Sequence, residues 1–407
     1  MERLNVVVIS DFAHVNGGAA QVALSSAMAL AERGHQVTVF AAVPPVSPEL
    51  RLANLRVVCL DQYEIVSDPN RLRAFVQGIW NVKAMRSMGT LLSEMAPSCT
   101  IIHLHGWTKA LSSSVIRKCV RQGFRVVCSL HDYFVACPNG GFFLYPKNTI
   151  CHIQALSKAC LLENCDKRNY AHKLWRVLRQ IVQKRWGFMP GGVRYFIVSS
   201  ELTRSVLQNY LPSGAELYQL GNPIDVHQAE PVRVRDNSEF VMIGRLGREK
   251  GCELFAEAAM RVGCRAVFIG DGECRSELLS RFPTFPITGW CTRADVLTHL
   301  SRARALVFPS RLYETQGLAA LEAAAVGVPA LVSDTCVARE SVIHGETGLW
   351  FRGGDVNDLA QKLRLLMKPD LAAQMGLAAY DRYWARPCTL NGHVDQLVTI
   401  YRRVLSD

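Results

Sequence analysis

Glu314-Thr315-Gln316-Gly317-Leu318-Ala319-Ala320-Leu321-Glu322 is the stretch whose reading decides the fold. Before it, Ala303-Arg304-Ala305-Leu306-Val307-Phe308-Pro309-Ser310 is a short apolar run ending in turn residues, the pattern of a buried parallel strand. After it, residues 318–326 are rich in Ala and Leu and read as a helix. That helix stops at Gly327, and Pro329 leads into a further strand at 330–333. The order strand, loop, helix, strand is that of an α/β protein. It puts Glu314 at the carboxyl edge of a sheet and opens a helix at Gly317 and Leu318, whose unpaired N–H groups suit an anion. Glu314 before the helix and Glu322 about a turn inside it can then face one ligand.

The same alternation runs outward in both directions. Residues 6–10 form an uninterrupted apolar strand, followed by Gly17-Gly18, a helical stretch at 19–32 stopped by Gly34, and a second strand at 36–42. This βαβ opening is Rossmann-like but lacks G-x-G-x-x-G, so no nicotinamide or flavin cofactor is indicated. Strands at 100–104 and 125–130 run into His103-Leu104-His105-Gly106-Trp107 and His131-Asp132-Tyr133. The carboxyl ends of parallel strands are where α/β proteins place ligands. His105 and His131 are therefore candidates beyond the structural role that is the default for a histidine. A strand at 195–199 and a helix at 201–210, capped by Ser200, lead to Gly221-Asn222-Pro223-Ile224-Asp225.

The second half restarts with a strand at 240–243 and the loop Gly244-Arg245-Leu246-Gly247-Arg248-Glu249-Lys250-Gly251. Phosphate binding wants small residues for close approach and fixed cations, and this loop supplies both without being a Walker A sequence. Gly270-Asp271-Gly272-Glu273 reads as turn chemistry rather than a metal-binding acid pair. Helices are expected at 358–367 and 393–405. The organisation expected is a first Rossmann-like domain at 1–222, a linker at 223–238, a second domain at 239–385, and a final segment at 386–407 returning to the first.

The chain has 407 residues, 49% of them hydrophobic, which is enough for two cores. Its net charge of +11 fits nucleic acid, an anionic membrane surface or phosphorylated ligands. No helix-turn-helix, RNA-binding or zinc-finger pattern accompanies the charge, so no nucleic-acid partner is expected. No apolar run approaches the roughly 18 residues needed to cross a bilayer. The N-terminus leads directly into a strand with no cleavable signal pattern, and the fourteen cysteines then read as reduced thiols of a cytoplasmic protein.

Two features stand outside the α/β pattern. Cys137, Cys151, Cys160 and Cys165 fall in an insertion at 137–170 that is poor in hydrophobic residues. A structural zinc or iron–sulfur site would staple such a loop, and separate thiols are the alternative. From 167 to 185 there are seven Lys or Arg and no acid, with Leu174, Leu178, Ile181 and Val182 on one helical face and Trp175 and Trp186 near it. Such a helix either lies on an anionic membrane surface or covers a sheet.

The Glu314–Glu322 spacing, set among this strand, serine, glycine and helix, resembles the E-x7-E signature of retaining nucleotide-sugar glycosyltransferases of the GT-B fold, glycosyltransferase family 4 in particular. The resemblance covers nearly the whole chain and is strongest from 240 to 355. Gln316 departs from it, standing where an aromatic residue is usual. The resemblance implies an α/β, GT-B architecture: two Rossmann-like βαβ domains facing across a cleft. It implies transfer of a hexosyl group, with retention, from a nucleotide-diphosphate sugar to a glycan or lipid-linked acceptor, as in surface polysaccharide or glycoconjugate synthesis. No metal is implied for catalysis. Arg245 and Lys250 would neutralise the departing diphosphate, Glu314 would hold the sugar, and Glu322 the ribose diol. Gly17, Gly18, Gln316, Gly317 and Leu318 would border the donor, and Trp290 the nucleotide base. His131 would lie near the transferred sugar, with His105 and Asp132 on the acceptor side. A GT-B epimerase or phosphorylase is the rival enzyme. A degenerate GT-B binding subunit is the non-enzyme rival, and the intact Arg245, Lys250, Glu314 and Glu322 argue against it.

Overall fold

In the computed structural model, which describes residues 3–407, the apolar runs assemble into two parallel sheets. The first contains β1 (Asn5–Phe12), β2 (Gln36–Val43), β3 (Leu55–Cys59), β4 (Thr100–Leu104) and β5 (Arg125–Ser129). A small antiparallel hairpin follows, β6 (Phe143–Leu144) with β7 (Thr149–Ile150). The first sheet is completed by β8 (Tyr195–Val198) and β9 (Glu216–Gln219), in the order β3-β2-β1-β4-β5-β8-β9. The second holds β10 (Glu239–Ile243), β11 (Arg265–Ile269), β12 (Ala303–Phe308), β13 (Ala330–Ser333) and β14 (Gly348–Phe351), in the order β11-β10-β12-β13-β14.

Each sheet starts in its middle, so each has one point where the strand order reverses. In the first it lies between β1 and β4, in the second between β10 and β12. Loops leave such a point in opposite directions and open a crevice at the carboxyl ends of the strands. This topology places the loops after β1, β4, β10 and β12, which carry most of the candidate residues, where ligands are bound.

The chain divides into two compact units. One runs to Gly141 and includes Ile153–Pro223 and Leu390–Asp407; the other is Phe142–His152 with Ile224–Thr389. The last helix, Leu390–Ser406, buries Val394, Leu397, Tyr401 and Val404 in the core of the first unit. Several elements were not legible in the sequence: β3, β9, the β6–β7 hairpin, and the helices Arg71–Ile79, Val82–Leu92 and Pro369–Ala385. The expected helices at 19–32, 318–326 and 358–367 are present within two residues of those bounds. Ser200 caps its helix by accepting the Thr203 N–H at 3.1 Å. Among the described residues no helix is long and apolar enough to cross a membrane.

One charged residue interrupts the apolar run of β12. Arg304 is buried, and its guanidinium donates to the carbonyls of Val234 (3.1 Å), Met367 (2.8 Å), Arg235 (3.3 Å) and Asn237. It thereby ties the segment entering the second unit to the carboxyl end of the helix Val356–Leu366, whose last carbonyls have no partner within the helix. Removing it leaves several buried acceptors without donors, at a cost of about 3 kcal/mol or more. Arg304→Met keeps the volume and should lower the midpoint of thermal unfolding by several degrees. An unchanged melting curve would contradict this role.

Candidate functional site

The second unit brings its candidate residues together where the order of its sheet reverses. The loop after β10 carries Arg245 and Lys250, and the loop after β12 carries Ser310 and Glu314. Lys250 Nζ lies 2.6 Å from Glu314 Oε1 and 2.8 Å from Oε2, and Ser310 Oγ donates to Oε1 at 2.7 Å. Gly251 makes this approach feasible. It has φ +76°, and a Cβ there would lie 2.1 Å from the Pro309 carbonyl oxygen. The loops after β10 and β12 therefore touch backbone to backbone.

Arg245 is held in turn by Glu249, which is buried and whose second oxygen, Oε2, has no hydrogen-bond partner. Burial works against the Arg245 charge, but the charge and hydrogen bond of Glu249 outweigh it and hold the guanidinium above its usual value. One helical turn into Leu318–Ala325, Glu322 pairs with Arg293 at 3.0 Å, and Arg293 Nε donates to the Asp225 carbonyl at 2.8 Å. Burial pushes the Glu322 carboxyl up, with Arg293 pulling it back. Each cation of the site thus rests on a carboxylate of its own unit. Gly317 opens the helix against Ala338, whose Cβ would be 2.8 Å from a Cβ at that position. Gln316 and Leu318 beside it are half-buried. Trp290 is 82% exposed, just after the bridge between Gly270 and Gly289.

The first unit gathers a different set. Gly17, at φ +116°, precedes Gly18 and the helix Gly18–Glu32. At the ends of β1 and β4, buried Asp11 accepts the backbone N–H groups of Lys109, Ala110 and Leu111 at 2.8–3.0 Å. Burial still pushes its carboxyl up, against these bonds. His131 Nε2 contacts His105 Nδ1 at 2.9 Å, and His105 Nε2 contacts His103 Nδ1 at 3.1 Å. His103 then reaches Ser129 Oγ from Nε2 at 2.8 Å and the Tyr401 hydroxyl from Nδ1 at 2.5 Å. Burial lowers all three histidines, His131 to about 4, so they are neutral near pH 7. The contacts run ring to ring, so for neutral rings the tautomer of His103 sets those of His105 and His131.

Sequence reasoning named His131, His105 and Asp132. It missed Asp11, Tyr401, Glu249 and Arg293. Asp11 extends a strand that was expected to stop at Ser10; Tyr401 and Arg293 meet their partners only through the tertiary fold, and Glu249 meets Arg245 four residues away within one loop.

The cysteines of the insertion do not all sit alike. Cys160 and Cys165 turn toward buried Lys173, whose ammonium lies 3.7 Å and 3.0 Å from their sulfurs and donates to the Cys160 carbonyl at 2.8 Å. Burial works against that charge, while the hydrogen bond to Cys165 and the nearby Cys165, Cys160 and Cys137 hold it up. The place a cation would take beside these two sulfurs is filled by the lysine. Among the described residues no group of three or more His, Cys, Asp or Glu is arranged to hold a metal.

Asp132 keeps part of its surface accessible but is packed on most sides, and this burial raises its carboxyl to about 6 against the Phe134 N–H and the Arg179 charge. Its folded value lies above the unfolded 3.8, so the stability it contributes is complete below pH 3.8 and is lost as pH rises through about 6. Asp132→Asn keeps an acceptor for Phe134 and removes the charge. It should raise the melting temperature at pH 7.5 by roughly 2–4 °C, a gain that fades by pH 4. A lower melting temperature at pH 7.5 would contradict the sign.

Residues 16–228 match the family described as Glycosyltransferase Family 4, and residues 237–369 match that described as Glycosyl transferases group 1. Over 192 residues the chain is 31% identical to the glycogen synthase of Mycobacterium tuberculosis, covering 43% of this chain and 46% of that protein. The chain thus spans about half the length of the curated relatives it matches. Among solved structures, the sucrose-phosphate synthase of Thermosynechococcus elongatus superimposes with a TM-score of 0.72 at 18% identity, over 99% of this chain and 100% of the other. Anabaena Alr3699/HepE in complex with UDP-glucose gives 0.68 at 13% identity, over 98% and 100%. These likenesses carry the fold, two Rossmann-like α/β units of the GT-B type. With more than half of its residues matched by that one family, the chain belongs to glycosyltransferase family 4.

Proposed function

We propose that the chain transfers a hexosyl group from a nucleotide-diphosphate sugar to a glycan or lipid-linked acceptor, with retention of configuration. The observation that carries this reading is the Lys250–Glu314 pair, fixed by Ser310 and set beside the amino end of the helix Leu318–Ala325. Cleavage of a sugar–diphosphate bond leaves negative charge on the β-phosphate while positive charge grows at the anomeric carbon. Lys250, Arg245 and the N–H groups at Gly317 and Leu318 address the first. Glu314 is suited to hold sugar hydroxyls and favour the cationic ring. Glu322, oriented by Arg293, is suited to a ribose diol.

The pairing within the unit gives the site a defined donor-free state. Lys250 and Glu314 neutralise each other, so neither half-buried charge is left without a counter-charge. An arriving diphosphate offers Lys250 a second anion, and the carboxylate it shares becomes available to hydroxyls. In the first unit His131 is neutral, so its proposed service to the transferred sugar is by hydrogen bonding rather than by charge. The Anabaena protein holds UDP-glucose, which supports a UDP-sugar as the first donor to try.

The roles separate in kinetics. Lys250→Ala loses stabilisation that is strongest in the transition state, so turnover should fall by about 10²-fold or more with a smaller change in donor KM. Glu322→Ala loses contacts made equally before and during the reaction, so donor KM should rise about tenfold with turnover nearly kept. Initial rates with a UDP-sugar and a glycan acceptor, with NMR of the product's anomeric proton, check both the roles and retention. Wild-type constants in both variants, or an inverted product, would refute the assignment.

A further inference from the structure

The basic helix Tyr170–Arg185 packs a mixed face inward, on which Val177 and Val182 join several polar side chains. Lys173, Arg179, Gln180 and Gln183 are buried, while Leu174 (46% exposed), Leu178 and Ile181 face out. Of the four apolar positions that share a face in the sequence, only Val182 is buried. The inward polar groups hold the helix by hydrogen bonds. Gln180 and Gln183 donate to the carbonyls of Val135 (3.1 Å) and Phe134 (3.0 Å), and Gln183 accepts the Trp107 indole N–H at 2.9 Å. A helix that merely covers a sheet buries its leucines; this one presents them to solvent.

A second helix does the same beside it. Arg71–Ile79 exposes Leu72 (74%), Phe75 and Val76, and Val66 just before it is exposed as well. The two helices meet closely at Gly78, where a Cβ would lie 2.5 Å from the Trp175 ring, and the Trp175 N–H donates to the Phe75 carbonyl at 3.2 Å. Between them opens a pocket of about 470 Å³. Its walls are largely apolar, yet five Arg or Lys line it against one acid, Glu64. At its base Arg179 lies 4.8 Å from the Phe134 ring centre and 5.2 Å from that of Trp175. Arg179 is more than nine-tenths buried. It donates to the Thr108 carbonyl at 3.0 Å, while its Nε has no hydrogen-bond partner.

We propose that this face of the first unit docks on an anionic bilayer, and that the pocket takes the phosphate-bearing head of a membrane lipid. Outward leucines and aromatics match the acyl boundary, and the cations around them match anionic headgroups. A cationic pocket with apolar walls fits a group that is both phosphorylated and attached to hydrocarbon, which a free sugar phosphate is not. A second copy of this chain is disfavoured, because it would bring one basic face against another on a chain of net charge +11. Docking does not depend on the transfer reading, since it is measured without donor or acceptor. Its failure and the failure of that reading are therefore distinguishable.

The test is sedimentation of the full chain with vesicles of phosphatidylcholine alone or with phosphatidylglycerol added. Binding should require the anionic lipid and weaken as salt rises. Leu174→Ser with Leu178→Ser, both at exposed positions, should weaken it by roughly tenfold or more. Arg168→Gln, at an exposed position lining the pocket, should weaken it about fivefold. Melting curves confirm that the variants remain folded. For the pocket, Trp175 fluorescence is followed on titration with dihexanoyl-phosphatidylglycerol below its micelle concentration, or with inorganic phosphate. The lipid should act at lower concentration than phosphate, and less so on Arg168→Gln. Equal response to phosphate alone would make this a soluble phosphate site and overturn the lipid proposal. Absence of vesicle binding, salt-independent binding, or self-association through the same leucines would overturn the docking face.

Discussion

The ion pair between Lys250 and Glu314 is the constraint from which the second unit is best understood. Its two halves come from loops that leave adjacent strands, β10 and β12, where the strand order of the sheet reverses. For the charges to meet, the loops must approach backbone to backbone, which is why a glycine stands at 251. Ser310 fixes the carboxylate from below, and Glu249 fixes the neighbouring Arg245 by a parallel arrangement. Lys250 and Arg245, the cations proposed to address a donor, are therefore each held in place by a carboxylate. Under the proposed transfer, binding of the diphosphate exchanges one partner of Lys250 for another, and the charges are then in place before the bond breaks.

The first unit solves a different problem with related means. Its histidines form a buried hydrogen-bonded chain from His131 to Tyr401, a residue of the last helix. Burial keeps them neutral, so the chain orients a ring without placing charge at the strand ends. The acids nearby, Asp11 and Asp132, are pushed up by the same burial and cost stability at neutral pH. Groups retained at such a cost are concentrated at the carboxyl ends of strands, where ligands bind, rather than spread through the core.

Much of this was legible in the sequence, and the reasons are local. The strand before Glu314, the helix after Gly317 and the loop from Gly244 to Gly251 are written in apolar runs, glycines and helix stops that need no tertiary context. The half-buried edge strands β3 and β9 were not legible, because they lack a long apolar run. Nor was the pairing of Arg293 with Glu322, which only the fold brings together; Glu249 and Arg245 stand four residues apart, but a loop without helical periodicity does not announce that they meet. The helix at 170–185 is the instructive case. Its periodicity grouped Leu174, Leu178 and Ile181 with Val182, which is buried while the other three are exposed, and periodicity cannot say which face turns inward; Gln180, Gln183 and Arg179 turn inward to carbonyls.

The central claim is that a diphosphate takes Lys250 from Glu314 on binding. Calorimetric titration of UDP, GDP and ADP into the wild-type chain and Glu314→Gln tests it directly, because these ligands carry the diphosphate but no sugar for Glu314 to hold. The account predicts that the nucleotide the wild type prefers binds several-fold tighter to the variant, whose Lys250 is released from its competing carboxylate. Equal or weaker binding would show that the pair is structural and that the diphosphate lies elsewhere.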